Sequence, residues 1–210
     1  MKRLMLLRHA KSGDDGMVVR DFDRPLNAKG RRAARAIGRY MCDRALRFDA
    51  VIASPAVRVA ETLQEVESGY GFDLAPQWDK RLYLATADEL LDAVHHAPAE
   101  AEAILLVGHN PGLEQLVLRL VPRRAEGDAR GEVEVKYPTA SLAEMAFAVD
   151  RWDQVSDGGG DLVRFVRPRD LDPNWAPITH DDPHASPRGT DRCGATVAAR
   201  RRHLPSYLRA

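Results

Sequence analysis

Three places in the chain set basic or nucleophilic side chains directly after a short apolar run. Leu4-Met5-Leu6-Leu7 ends in Arg8-His9. Ala50-Val51-Ile52-Ala53 runs into Ser54-Pro55-Ala56-Val57-Arg58, and Ala103-Ile104-Leu105-Leu106-Val107 breaks at Gly108-His109-Asn110-Pro111. Imidazole is a nucleophile and a proton carrier near neutral pH. A guanidinium donates two parallel hydrogen bonds in a planar fork that matches a phosphoryl or carboxylate group. Two histidines and two arginines brought to one point would grip such an anion and offer a nitrogen to attack it.

The same runs imply the elements that must bring them together. A short apolar run without polar interruption reads as a strand buried on both faces. Asn27 caps a helix with Ala33, Ala34, Ile37, Met41 and Ala45 on one face. Ser54 and Pro55 read as the cap and first position of a helix that stops at Gly69. Thr86-Ala87-Asp88-Glu89 is a capping box before Leu90, Leu91 and Val94. A further helix carries Leu113, Leu116, Val117 and Leu120.

Residues 73–78 read as a weak third strand. Residues 142–149 and 162–166 read as two more, the last antiparallel to its predecessor across a glycine-tipped turn at 158–160. The alternation predicts an α/β fold of three layers, α/β/α, with a mostly parallel central sheet, right-handed crossovers and an antiparallel edge strand. In such a sheet all three junctions lie at the carboxyl edge, where ligands bind. Two helix starts there add unpaired N–H groups and about half an elementary charge each.

Lys plus Arg and Asp plus Glu both number 31 in the 210 residues, so any anion site is local. This balance excludes a protein built to coat nucleic acid or an anionic membrane. No window approaches a membrane span, and the N-terminal apolar run is too short for a signal-peptide core. Cys42 and Cys193 form no metal clip, and Cys42 reads as a small core hydrophobe. A cytoplasmic location is expected. One domain is expected over 1–170, followed by a proline-bearing tail over 171–210, extended or disordered. The charged stretch 122–136 reads as a surface excursion.

The chain resembles the histidine phosphatase superfamily, the phosphoglycerate mutase-like fold, and within it the short bacterial phosphohistidine phosphatase (SixA-like) branch. The resemblance rests on Leu7-Arg8-His9-Ala10-Lys11-Ser12, on Arg24-Pro25-Leu26 with Gly30, on Ser54-Pro55 with Arg58 and Thr62, and on Val107-Gly108-His109-Asn110-Pro111. It implies that His9 is the nucleophile, its second ring nitrogen held by a backbone carbonyl. Arg8, Arg58 and His109 would grip the transferring phosphoryl group, with Asn110 beside them as a further binding residue. It implies no metal and no cofactor. The partner would be a phosphorylated protein or a small phosphorylated molecule, and the sequence is silent on oligomeric state.

One departure stands out. Many members carry a glutamate after the second helix that protonates the leaving group, whereas Trp78 to Thr86 here offers no clean equivalent. Asp23, Asp79 and Asp88 are the candidate acids nearby. A missing acid is tolerable for a labile phosphoramidate and harmful for an alkyl phosphate ester. The expected function is a metal-independent phosphatase working through a phosphohistidine intermediate on phosphohistidine or a similarly activated phosphate. The alternatives are a non-catalytic phospho-ligand binding module and a phosphoglycerate mutase-type phosphotransferase.

Overall fold

Described over residues 1–13, 20–123 and 129–171, the computed structural model places β1 (Lys2–Arg8) in the interior of a six-stranded sheet. Along the chain follow α1 (Ala28–Asp43), β2 (Ala50–Ala53), α2 (Val57–Tyr70), β3 (Gln77–Trp78), α3 (Ala87–His95) and β4 (Ala103–Gly108). After these come α4 (Gly112–Leu120), α5 (Ala129–Val135), β5 (Leu142–Phe147), β6 (Gly160–Val166) and the short α6 (Pro168–Leu171). The strand order is β3-β2-β4-β1-β5-β6. β3, β2, β4 and β1 pair in parallel, while β5 pairs antiparallel with both β1 and β6. The expected α/β architecture, mostly parallel with antiparallel pairing towards one edge, is the one observed.

The uninterrupted apolar runs follow from burial on two faces. Leu4, Leu6, Ile104 and Leu106 join the core that contains residues of α3 and α4. Their neighbours Met5, Leu7, Leu105 and Val107 join the one that contains residues of α1 and α2. Alternating Cβ directions send successive side chains into opposite layers, so no position is left for a polar residue. Among the described residues, no helix is long and apolar enough to cross a membrane.

Several boundaries differ from the sequence reading, each for a tertiary reason. Gly69 does not stop α2. It lies inside the helix because α1 and α2 press together there: a Cβ on Gly69 would run into the Arg35 carbonyl, and one on Gly38 into that of Val66. The helix ends instead at Gly71, whose φ of 80° is the left-handed conformation that closes helices. Ala45 leaves the apolar face expected for it. It follows α1 with φ 50°, exposed, and Leu46 takes the buried place.

The strand at 73–78 shrinks to Gln77–Trp78, and the one at 142–149 ends at Phe147. The excursion 122–136 carries α5, anchored by the fully buried Val133, with residues 124–128 outside the described set. The turn region after β5 hides Trp152, whose indole N–H reaches the Ala101 carbonyl at 2.9 Å. Cys42 lies half-buried against the α1–α2 core; Cys193 and the expected tail from 172 lie outside the described residues.

Candidate active site

The ends of three parallel strands meet in register. Arg8 pairs with Gly108 across β1 and β4, and Ala53 pairs with Val107 across β2 and β4. The residue after each end therefore opens onto one edge, as the parallel topology demands. His9 and His109 face each other there with ring centroids 5.1 Å apart. Arg58, in the first turn of α2, is 3% exposed, and one of its terminal nitrogens lies 3.2 Å from His109 Nδ1. Arg8 is half-buried, and one of its terminal nitrogens donates to the Tyr137 carbonyl at 2.6 Å.

The His9 ring is held in one tautomer. Its Nδ1 lies 2.8 Å from the Ala10 carbonyl oxygen. A carbonyl only accepts, so Nδ1 carries the proton and Nε2 carries the free lone pair. Burial, and then the charges of Arg58 and Arg8, push the ring down to about 4 from the ordinary 6.5, against the pull of the Ala10 hydrogen bond and of Asp21. The ring is thus neutral across the physiological range. Thr62 fixes this strand end: its hydroxyl accepts the Ala10 N–H at 2.9 Å and donates to the Arg58 carbonyl at 2.5 Å. Gly30 lets α1 close on the segment after His9, since a Cβ there would run into the Lys11 carbonyl.

The same logic fixes the tautomer of His109. A guanidinium only donates, so Nδ1 accepts from Arg58 and Nε2–H donates to the Ser54 hydroxyl at 2.9 Å. Burial, followed by the neighbouring charges of His9 and Arg58, pushes this ring to about 3. In this arrangement His109 orients Arg58. Ser54, expected as a helix cap, instead anchors His109, and α2 starts at Val57 with no side-chain cap.

Asn110, joined to Pro111 by a cis bond, stands beside His109 at the same junction. Its amide N–H groups go to Glu114, at 2.9 Å, and to the Tyr137 carbonyl, at 3.3 Å. Tyr137 is thus a shared acceptor for Arg8 and Asn110, and its own hydroxyl donates to the Leu6 carbonyl.

The three candidate acids are placed elsewhere. Asp23 holds Arg20 at 2.7 Å, Asp79 holds Arg81 at 2.7 Å, and the exposed Asp88 holds Arg119. None bonds to Arg8, His9, Arg58 or His109. The carboxylate that reaches the site is Asp21, two residues before Asp23 on a 3₁₀ turn, Asp21–Asp23. Its Oδ2 accepts from Arg58 at 3.0 Å and from the Tyr83 hydroxyl at 2.7 Å, and its Oδ1 accepts from Arg24 at 3.2 Å. The Tyr83 bond and the flanking guanidinium groups hold it below the usual carboxylate range. A signal for it lay in the Asp21-x-x-Arg24 spacing, but only the fold brings Arg58 and Tyr83 to it.

A model of the histidine phosphatase superfamily (branch 1) matches residues 4–83, which contain Arg8, His9 and Arg58. An uncharacterised protein of Mycobacterium tuberculosis is 32% identical over 165 residues, spanning 78% of this chain and all of its own. The chain belongs to the histidine phosphatase superfamily. Among solved structures it is similar to a Nakamurella multipartitia protein assigned as phosphohistidine phosphatase SixA, with 29% identity, a TM-score of 0.69, and coverage of 80% of this chain and 96% of that one. A SixA assignment from Agrobacterium tumefaciens is 28% identical with a TM-score of 0.66, covering 80% and 98%. The superfamily membership supports phosphatase chemistry, and the likeness is to its SixA-like branch.

Proposed function

We propose that this chain is a metal-independent phosphatase that accepts a phosphoryl group on His9 Nε2 and passes it to water, acting on phosphohistidine in a protein or on a similarly activated phosphate. The observation that carries this reading is the His9–Ala10 hydrogen bond. It leaves Nε2 unprotonated at a strand end beside two guanidinium groups. Domain limits of 1–170 and a cytoplasmic setting belong to the same proposal.

In the first step the Nε2–P bond forms as the bond from phosphorus to the leaving nitrogen breaks, and Arg8 and Arg58 stabilise the charge on the phosphoryl oxygens. An N-phosphoimidazole that is protonated on its distal nitrogen departs as neutral imidazole, so it needs no acid from the enzyme. In the second step water attacks the phosphohistidine, releasing phosphate and restoring His9. Arg58 is bonded by the Asp21 carbonyl at 2.5 Å as well as by its carboxylate, so the phosphoryl group competes with Asp21 for this guanidinium.

Brief exposure to a labelled phosphodonor, quenched in alkali to preserve phosphohistidine, tests the covalent step. Label is expected on the wild type and absent from His9→Ala. Tight phosphate binding with no label would replace the enzyme by a binding module. A preference for a sugar phosphate over a phosphohistidine peptide would overturn the substrate assignment.

A further inference from the structure

A row of rings leads from the buried nucleophile to the surface. His9 and His109 are 8% and 2% exposed. Tyr83 stands edge-on to His109, with centroids 5.4 Å apart and planes at 87°. Phe22 packs edge-on against the far side of the row, 5.1 Å from Tyr83. Both are half-buried, and Leu84 beside them is 54% exposed. The Arg58 guanidinium carbon lies 5.7 Å from the Tyr83 ring centroid, so this ring touches both the arginine and the histidine of the phosphoryl site.

The wall is fixed in place from behind. Leu84 has a φ of 53°, a left-handed conformation that a bulky side chain rarely adopts. The reversal turns the chain directly after Tyr83. The Ala85 carbonyl then presses onto α4 at Gly112, where a Cβ would collide with it. Strain of this kind persists where the surroundings over-determine it, and it clusters at ligand clamps.

We propose that Phe22 and Tyr83 form the wall that receives the leaving group, and that the group it fits is the imidazole ring of phosphohistidine. This rests on the phosphatase reading above. In-line transfer places the leaving atom opposite His9 Nε2, and a protein-borne leaving group must depart towards solvent. The half-buried rings of Tyr83 and Phe22 line the way out from Arg58 and His109. Aromatic rings favour edge-to-face and offset contact with a flat partner, whereas a hydroxylated alkyl group gains little from them.

Asp21 supplies the polar end of the same pocket. A carboxylate offers about four acceptor positions, and Arg24, Arg58 and Tyr83 use three. Among the described residues the fourth is unused, and it suits the distal N–H of a protonated phosphoimidazole.

The test compares two phosphodonors that both lose a P–N bond: N-phosphoimidazole, which has the ring, and phosphoramidate, which does not. The readout is the ratio of their kcat/KM values in the wild type, Phe22→Ala, Tyr83→Ala and Tyr83→Phe. The ratio is expected to fall up to about tenfold in each alanine variant, the range set by an aromatic pair, and to hold within about twofold in Tyr83→Phe, which keeps the ring. Phosphoramidate turnover reports folding and nucleophile integrity in the same samples, and Phe22→Ala carries the test if Tyr83→Ala does not fold. A ratio unchanged in both alanine variants overturns the wall. Wild-type protein that turns over neither donor and takes no label fails the phosphatase reading instead, so the two failures are told apart.

Discussion

β1 carries a buried or half-buried cation at each end, and the two are treated in opposite ways. Lys2 is 2% exposed, and its ammonium donates to the Ala99 and Ala101 carbonyls at 2.9 and 2.8 Å, with Glu102 at 3.5 Å. Two of the three ammonium donors go to carbonyls, and the Glu102 carboxylate is close enough to pair with the charge. Arg8 has five donors. One terminal nitrogen reaches the Tyr137 carbonyl, while Nε is buried without a partner among the described residues. A buried charge is tolerated when it is fully hydrogen-bonded and costly when it is not. The amino end of the strand is therefore finished as structure, and the carboxyl end is left with bonding capacity for an anion.

The sharpest way to break this comparison is to delete Arg8. Arg8→Ala is expected to lower kcat/KM by roughly a hundred- to a thousandfold, the scale of losing one preorganised donor. Its urea midpoint should equal or exceed that of the wild type, since an under-bonded cation has gone. Steady-state kinetics beside an equilibrium unfolding curve checks both, and a clear loss of stability would show Arg8 to be as structural as Lys2.

The next effect is in pH. His9 at about 4 stays neutral at pH 5, whereas a histidine at 6.5 would be largely protonated. Activity at pH 5 should exceed that of an ordinary imidazole nucleophile by about thirtyfold, with the acid limb of kcat/KM near 4. Stability follows the same groups. The unfolded chain protonates His9 and His109 below 6.5 while the folded one does not, so the unfolded state binds more protons, and stability falls as pH drops from about 6.5 to about 4 for His9 and to about 3 for His109. A limb near 6.5 in the pH–rate profile would remove the buried-nucleophile account.

Smaller again is Ser54→Ala, which leaves His109 Nε2–H without its acceptor. About a tenfold fall in kcat is expected, from one misplaced hydrogen bond at the Arg58 end, with rescue by Ser54→Thr. The smallest effect on chemistry belongs to Lys2→Met. Turnover per folded molecule should not change, while stability falls by about 1–3 kcal/mol because two carbonyls lose their donor. Any large change in kcat from Lys2→Met would erase the distinction between the two ends.

How much of this was legible in the sequence depended on whether a residue's role is local. The three strand-to-helix junctions could be read because apolar runs and breaks are local, and a parallel sheet sends all such junctions to one edge. Asn27 and the Thr86–Glu89 box could be read for the same reason, and both caps are formed. Ser54 was misread because its local signature is a cap, while its actual partner is a histidine 55 positions away. Asp21 was passed over for Asp23. The two differ only in which side of one turn faces Arg58. Gly69 was read as a helix stop because glycine's conformational cost is local information and the Arg35 backbone pressing on it is not. Tyr83 gave no signal at all, since an aromatic residue after a buried leucine looks like any edge of a core.

The position of β4 has one more consequence. It lies between β1 and β2 although the chain reaches it after both. On a ribosome the His9 ring emerges early, but the strand that joins its neighbours, and the second ring that steadies Arg58, arrive only with Gly108 and His109. A nascent chain shorter than that lacks the strand that sets the two halves of the cradle in register, so assembly of the site waits for β4.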